Sequence, residues 1–133
     1  MAAELDYAFL AEFAKTQDGT LTVVGASFTQ VFSASFPAST TLYVAGRVRR
    51  QQDDPTPSVG IALSGPLDST QIEFEAQFED TADAVGYDGK VATVFVFSGP
   101  LLLTESGIYE CHISIDGTAV RRLAFEALSP DST

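Results

Sequence analysis

Apolar and polar side chains alternate along several short segments of this chain. In residues 71–79 every second position is apolar, and glutamate or glutamine fills the positions between. Residues 109–116 repeat the alternation. A period of two is typical of a β-strand with one buried face, so both segments are predicted to be half-buried strands. The predicted inward positions are Ile72, Phe74, Ala76 and Phe78 in the first segment and Tyr109, Cys111, Ile113 and Ile115 in the second.

Turn signals separate these segments at regular intervals. Asp18-Gly19, Asp88-Gly89 and Asp116-Gly117 are dipeptides that favour tight hairpins, because both positions of the turn need positive φ. Gly65-Pro66 and Gly99-Pro100 are predicted to end strands, since proline cannot donate to an interior ladder. The segments between these signals predict eight strands, at about residues 5–14, 20–28, 40–49, 58–65, 71–79, 91–98, 107–116 and 118–127.

Successive hairpins without a long helix indicate an all-β fold. We predict a single antiparallel β-sandwich domain over residues 1–128, an immunoglobulin-like or jelly-roll-like Greek key of about eight strands, with a short tail at 129–133. Residues 28–39 favour either a strand extension or a short turn of helix leading into Pro37. Polar loops are predicted at residues 50–57 and 80–90.

Two of the predicted strands are apolar on both parities. Tyr7-Ala8-Phe9-Leu10 and Val94-Phe95-Val96-Phe97 offer no polar face to solvent. Such strands are either covered on both sides by the fold or contribute to an interface.

Composition narrows the classes of partner. The 133 residues include 18 acidic and 7 basic side chains, a formal charge of −11. This charge disfavours binding to nucleic acid or to an anionic membrane surface. The N-terminus has no basic region before an apolar run, so no signal peptide is predicted. Together with a single cysteine, this places the protein in the cytoplasm or in a particle assembled there.

Part of the sequence resembles known sandwich proteins. The segment Gly107-Ile108-Tyr109-Glu110-Cys111-His112-Ile113, followed by Asp116-Gly117, looks like the penultimate strand and last hairpin of immunoglobulin-like domains. The Tyr109-x-Cys111 spacing resembles their tyrosine corner. The chain departs from that family because it has no second cysteine and no tryptophan.

A wider resemblance is to a group of small uncharacterised actinobacterial proteins. It is carried by Tyr7-Ala8-Phe9-Leu10-Ala11-Glu12-Phe13-Ala14, the turn Asp18-Gly19, Leu21-Thr22-Val23-Val24-Gly25-Ala26, and the closing motifs Gly107-Ile108-Tyr109 and Asp116-Gly117. The group has no established activity, so the resemblance implies a fold and no catalytic residue.

Few residues suggest chemistry, and no cofactor is predicted. His112 and Cys111 are neighbours on a strand, so they point to opposite faces and are not a nucleophile and its base. Glu73 and Glu75 lie roughly 6.5 to 7 Å apart along one face, a spacing that glycosidases use but that any half-exposed acidic strand offers. The acidic loop at 80–90 is a possible calcium site that the sequence leaves undecided.

The charge is unevenly distributed. Residues 68–88 hold seven acids and no base, whereas four of the seven bases form two arginine pairs. The arginines would form a basic spot if their strands were adjacent, and the alternative is pairing with acids of the same chain. The candidate interaction residues are Arg47, Arg49, Arg50, Arg121 and Arg122, with Tyr43 and Tyr87 as candidate ligand platforms.

The sequence therefore predicts a non-enzymatic protein that works by presenting surface. The first expectation is an interaction or assembly protein with a protein partner or a second copy, including a virion decoration or capsid-associated protein. The alternatives are a small-ligand or carbohydrate-binding module and an uncharacterised enzyme with an acidic site.

Overall fold

Strands make up nearly all of the regular structure. The computed structural model describes residues 3–66, 70–77 and 84–130. The strands are β1 (Glu4–Ala11), β2 (Phe13–Gln17), β3 (Thr20–Val24), β4 (Gln30–Phe32), β5 (Ala38–Gln51), β6 (Ser58–Ser64), β7 (Thr70–Gln77), β8 (Ala84–Tyr87), β9 (Lys90–Leu103), β10 (Gly107–Ile115) and β11 (Thr118–Leu128). No helix in these ranges has the length and apolarity that crossing a membrane would need.

Two main sheets face each other, which confirms the predicted all-β sandwich. The first sheet has the order β1-β5-β9-β8, and the second has the order β4-β11-β10-β6-β7. Within the first sheet, β5 and β9 pair in register from Ala38↔Leu103 to Gln51↔Lys90. The sandwich is not purely antiparallel, because β4 runs parallel to β11.

The core forms where the predicted inward parities of both sheets meet. On β10, Tyr109, Cys111, Ile113 and Ile115 are all buried, as the alternation predicts. Burial of such side chains is the main stabilising term of the fold. They pack against the inward side chains of the opposite sheet, chiefly Leu10, Leu42, Val44, Val48, Phe95, Leu101 and Leu103. The predicted inward positions Phe74 and Phe78 lie outside the side chains that the structure describes.

The apolar outer face of β1, β5 and β9 is covered by the two-stranded sheet β2-β3. This hairpin folds back over the first sheet, where Ala14 packs with Ala11 and Ala45. Phe9 and Val96 border the same cluster. Small alanines allow the two layers to approach closely, so this part of the doubly apolar strands is covered twice by the fold itself.

The three Asp-Gly turns adopt the predicted geometry. Asp18, Asp88 and Asp116 have φ of 49°, 50° and 49°, and the glycines that follow them have φ of 82°, 73° and 84°. Positive φ at both positions matches the right-handed twist of the flanking strands. These turns join β2 to β3, β8 to β9, and β10 to β11.

Three predicted element boundaries are wrong. The first predicted strand is broken at Glu12, whose amide donates to the carbonyl oxygens of Val24 and Gly25 at 3.1 and 3.3 Å, and there the chain leaves the sheet to form the hairpin. The predicted loop at 80–90 contains strand β8. Residues 28–39 contain the short separate strand β4 rather than an extension of β3.

The predicted break at Gly99-Pro100 is also wrong, because β9 continues to Leu103. β8 pairs with β9 only as far as Thr93. Around Pro100, β5 is the one neighbouring strand of β9 among the described residues. Gln71 occupies the other side: its Nε2 donates to the Leu102 carbonyl at 2.7 Å, and its Oε1 accepts from the Leu102 amide at 2.9 Å. Pro100, two residues away, directs its ring nitrogen to the same side, so β9 loses no ladder hydrogen bond to β5.

Tyr109 ties the start of β10 to the preceding loop. Its hydroxyl donates to the Glu105 carbonyl at 2.7 Å and accepts from the Glu105 amide at 3.3 Å. The ring is buried and stacks on Phe125 at 5.5 Å between centroids. The hydroxyl therefore satisfies both backbone groups of Glu105 and fixes the turn between β9 and β10.

Candidate functional site

The part of the first sheet that the hairpin leaves uncovered carries an arginine between two tyrosines. The Arg47 guanidinium carbon lies 5.3 Å from the Tyr7 ring centroid and 5.9 Å from the Tyr87 ring centroid. A cation at such a distance is attracted by the ring quadrupole. Asp6 accepts from Arg47 Nε at 2.8 Å and raises the pKa of Arg47, which fixes the guanidinium in this position.

Arg49 lies two residues further along the same face of β5. Its guanidinium is 2.8 Å from Glu4 and 3.3 Å from Asp6. The pKa of Arg49 is raised, first by a hydrogen bond with Tyr87 and then by these two carboxylates. We call Tyr7, Arg47, Arg49 and Tyr87 the tyrosine–arginine patch.

The strand register explains why these residues meet. Tyr7 and Glu4 on β1 pair with Arg47 and Arg49 on β5, and a bulge between Leu5 and Tyr7 inserts Asp6 beside both arginines. Residues opposite one another on neighbouring strands are close enough to interact through their side chains. Tyr87 arrives from the other edge, on β8. Sequence analysis missed Tyr7, Asp6 and Glu4, because a bulge and the pairing of β1 with the distant β5 bring them to the arginines.

Arg50 and Tyr43 do not belong to this patch. Arg50 is buried at the end of β5, and its guanidinium donates to the carbonyl oxygens of Gln51, Gln52 and Asp54 at 3.5, 3.3 and 2.9 Å. Because Arg50 has the inward parity, it holds the loop rather than facing a partner. Tyr43 is half-buried beneath the hairpin, with its ring centroid 5.5 Å from that of Phe13.

The two arginine pairs lie in different sheets and do not form one basic spot. Arg121 and Arg122 are on β11, in the second sheet. Arg122 forms a salt bridge with Glu110, and the hydrogen bond it donates holds the pKa of that carboxyl below its ordinary value. Arg47, Arg49 and Arg122 therefore follow the alternative of pairing within the chain. Of the seven acids in 68–88, Asp68, Glu79, Asp80 and Asp83 lie outside the described residues.

A groove of about 340 Å³ crosses the outer face of the second sheet. Gly60 and Ala62 on β6, which lies between β10 and β7, form its floor. They pair with Glu75 and Glu73 on β7 and with Ser114 and His112 on β10. Two small residues between taller neighbours create the depression, so the register alone accounts for it.

The groove combines two carboxylates with an imidazole, all open to solvent. Glu73, Glu75 and His112 are exposed, and neither glutamate has an ion pair within the described part of the chain. Among residues 3–66, 70–77 and 84–130, no three metal-binding side chains gather closely enough to hold an ion. The arrangement can accept hydrogen bonds from a cationic or hydroxylated ligand. The predicted calcium loop has Asp80 and Asp83 outside the described residues.

Cys111 and His112 point to opposite faces of β10, as predicted. Cys111 is 2% exposed within the core, and His112 is exposed with its Nε2 3.6 Å from Glu110. Burial raises the pKa of the Cys111 thiol to about 12. The thiol is therefore neutral in the folded protein, and its apolar surroundings do not support nucleophilic chemistry.

The buried thiol gives a testable result. We expect Cys111 to resist a water-soluble disulfide reagent at neutral pH in the native protein and to react fully in denaturant. The folded pKa is above the unfolded one, so the contribution of Cys111 to stability is complete below about pH 8.5 and is lost as pH rises toward 12. Fast labelling without denaturant would contradict this burial.

Comparison with known proteins identifies a family but no activity. The model of a family of unknown function (DUF6941) matches residues 6–127. That span includes the whole tyrosine–arginine patch and the whole groove. No curated protein matches the chain.

Proposed function

Because the chain belongs to the DUF6941 family, whose function is unknown, no activity passes to it from relatives, and we propose that it is a non-enzymatic protein-interaction module. The observation that carries this proposal is the tyrosine–arginine patch. Tyrosine and arginine are the residue types that most often dominate protein–protein interfaces. Here they lie on a rigid four-stranded sheet, at the end that the β2-β3 hairpin leaves uncovered.

The order within the patch also supports binding. Arg47 is held by Asp6 and by two tyrosine rings, so its side chain loses little freedom when a partner covers it. Tyr87 and Val85 are 42% and 44% exposed and offer apolar surface beside the fixed charge. This combination suits recognition of a protein surface better than catalysis.

The described geometry favours binding over an enzymatic role. The groove acids Glu73 and Glu75 are exposed on an open sheet face. A general acid that works near neutral pH needs an environment that disfavours its ionised form, and this face does not provide one. The buried Cys111 is likewise unsuited to nucleophilic attack. A protein that presents surface is the simpler account of both.

The strand order supports the immunoglobulin-like interpretation that the Tyr109-x-Cys111 spacing suggested. With the β2-β3 hairpin set aside, the order β1-β5-β9-β8 corresponds to immunoglobulin strands ABED. The order β11-β10-β6 corresponds to GFC, and the tyrosine corner lies on the strand equivalent to F. Such sandwiches serve many functions, so this likeness supports a binding role only by analogy.

Site-specific photocrosslinking tests the proposal directly. A benzophenone amino acid in place of Tyr87 keeps an aromatic side chain in the patch, and the same residue in place of Val120, 41% exposed on β11, is the matched control. In cells that produce the protein, we expect discrete protein adducts from position 87 and none of the same adducts from position 120. No adduct at position 87, or identical adducts at both positions, would contradict the proposal.

A second candidate function is binding of a small ligand in the groove of the second sheet. The observation that favours it is the concave site between Glu73, Glu75 and His112. No aromatic residue is among its described lining residues, which argues against a carbohydrate platform and for a ligand with a cationic group. For the carbohydrate alternative the candidate platforms are Tyr43, which the hairpin half covers, and the exposed Tyr87. A glycan array that stays blank would remove this alternative.

Titration with a small polyamine tests the groove. Spermidine added to the isotopically labelled protein is expected to shift the amide resonances of Gly60, Ala62 and Ser114 with saturation. The double variant Glu73→Gln/Glu75→Gln should lose this saturation, whereas Glu126→Gln, elsewhere on the same sheet, should keep it. Shifts that never saturate, or that persist in the double variant, would exclude the groove as a site.

The proposal retains several finer expectations from the sequence. These are the likeness to actinobacterial proteins, a place in the cytoplasm or in a particle assembled there, and a structural role such as virion decoration. Neighbouring genes for virion proteins would support the structural role, and neighbouring metabolic genes would favour the ligand-binding candidate.

A further inference from the structure

The tyrosine–arginine patch differs in charge from the protein that carries it. The chain has 18 acidic and 7 basic side chains. At the patch, however, Arg47 and Arg49 are matched by Glu4 and Asp6. Beside Tyr87, its strand partner Lys90 is matched in number by Asp88 of the adjoining turn. By contrast, the outer face of the second sheet carries Glu73, Glu75, Glu110 and Glu126 against the single arginine Arg122 among its described positions.

This difference identifies the partner that the patch fits best. Two copies of a strongly acidic protein repel one another, and they approach at least cost through a surface whose charges are balanced. Because the patch arginines are already paired within one copy, a strongly charged partner gains little from them, whereas a second copy meets no net repulsion there. We infer that the patch binds a second copy of this chain, in a symmetric dimer with the first sheets face to face. This inference rests on the proposed interaction function and names its partner.

A symmetric dimer would bury the exposed apolar side chains of both copies. In a two-fold dimer the same patch lies on both sides of the interface, so each Tyr87 and Val85 is covered by the other copy. These side chains are 42% and 44% exposed in the single copy, and the dimer would remove that apolar surface from water. The cation–π arrangement of Arg47 is already formed in the single copy, so association does not need to build it.

The patch is small for a protein–protein interface. Four strands about 4.8 Å apart, with about five residues each beyond the hairpin, present roughly 300 Å² of sheet face. Two copies would bury about 600 Å² in total, well below the roughly 1,600 Å² of a stable complex, so we expect only a weak dimer, with a dissociation constant on the order of 100 μM.

Salt should strengthen this dimer, whereas it weakens a contact between oppositely charged surfaces. Raising salt from about 20 mM to about 300 mM screens the mutual repulsion of the two acidic bodies more than the short-range contacts in the patch. We therefore expect tighter association at higher salt. Pairing of an acidic surface with a basic one would instead weaken.

Sedimentation velocity from about 10 μM to about 1 mM protein, a range that brackets the expected dissociation constant, tests this inference. The wild-type chain is expected to move from monomer toward twice the monomer mass. Tyr87→Ser should weaken association at least about tenfold, a change that roughly 1.4 kcal/mol of lost contact produces. Val120→Ser on the second sheet should behave as the wild type, and circular dichroism verifies that both variants are folded.

The outcomes separate this inference from the proposed function. A chain that stays monomeric at the highest concentration, or that loses association equally in Tyr87→Ser and Val120→Ser, overturns the dimer. A weaker dimer at high salt also overturns it. If the chain is monomeric while position 87 still cross-links to a different protein in cells, the interaction function stands and only the identity of the partner is wrong.

Discussion

Gly46→Ala is expected to lower the free energy of unfolding by about 3 kcal/mol, because the added methyl group has no room between two paired strands. Gly46 pairs with Phe95 on β9 and with Ala8 on β1. A Cβ atom at this position would lie 2.5 Å from the Tyr7 carbonyl oxygen and 2.8 Å from the Phe95 ring. The carbonyl belongs to a paired strand and cannot move without breaking the β1-β5 register.

Gly86→Ala is the matched control, because Gly86 lies on β8 in the same sheet. Its added Cβ would meet no atom closer than the Lys90 carbonyl oxygen at 3.8 Å. We expect its free energy of unfolding to stay within about 0.5 kcal/mol of the wild type. Equal effects of the two variants in urea unfolding would show that loss of glycine, rather than crowding at Gly46, sets the cost.

Arg50→Ala is expected to lower the free energy of unfolding by about 2 to 4 kcal/mol. The guanidinium donates to three backbone carbonyl oxygens in the segment that leaves β5, the shortest contact being 2.9 Å to Asp54. Removal of the donor leaves these carbonyls without their charged partner, and of the three residues only Asp54 is half-buried. Arg50→Lys should recover part of the loss, because an ammonium group keeps the charge but not the planar set of donors.

Arg121→Ala is the control for this prediction. Arg121 is exposed on β11, and its removal should change stability by no more than about 0.5 kcal/mol. Thermal unfolding of the three variants beside the wild type measures the difference. If Arg50→Ala matched Arg121→Ala, the hydrogen bonds to the loop would have no net value, and Arg50 would return to the set of candidate surface residues.

The sequence was most informative where local geometry decides the structure. The parity of Tyr109, Cys111 and Ile113 follows from the period of a strand, and Asp88-Gly89 adopts its turn because few other residues accept positive φ there. It was least informative where a distant segment decides. Nothing local to Pro100 reveals that Gln71 occupies the open side of its strand.

The candidate site shows the same division. Arg47 and Arg49 share a parity, so their common face was predictable from β5 alone. Their acids are some forty residues earlier, and the bulge that places Asp6 beside both arginines has no local signature. Arg50 was expected at the surface because arginine is rarely buried. Its burial depends on the carbonyl oxygens that accept its hydrogen bonds, and these belong to the loop that follows.

The contact of Gln71 with Leu102 bears on aggregation. A strand edge with free amide and carbonyl groups is a template to which other chains add in fibrils. One side-chain amide satisfies both backbone groups of Leu102, whose own side chain is 46% exposed. The apolar end of β9 is therefore closed to a further strand at that residue by a glutamine from the opposite sheet, and a concentrated solution of this protein is protected from fibril growth at that point.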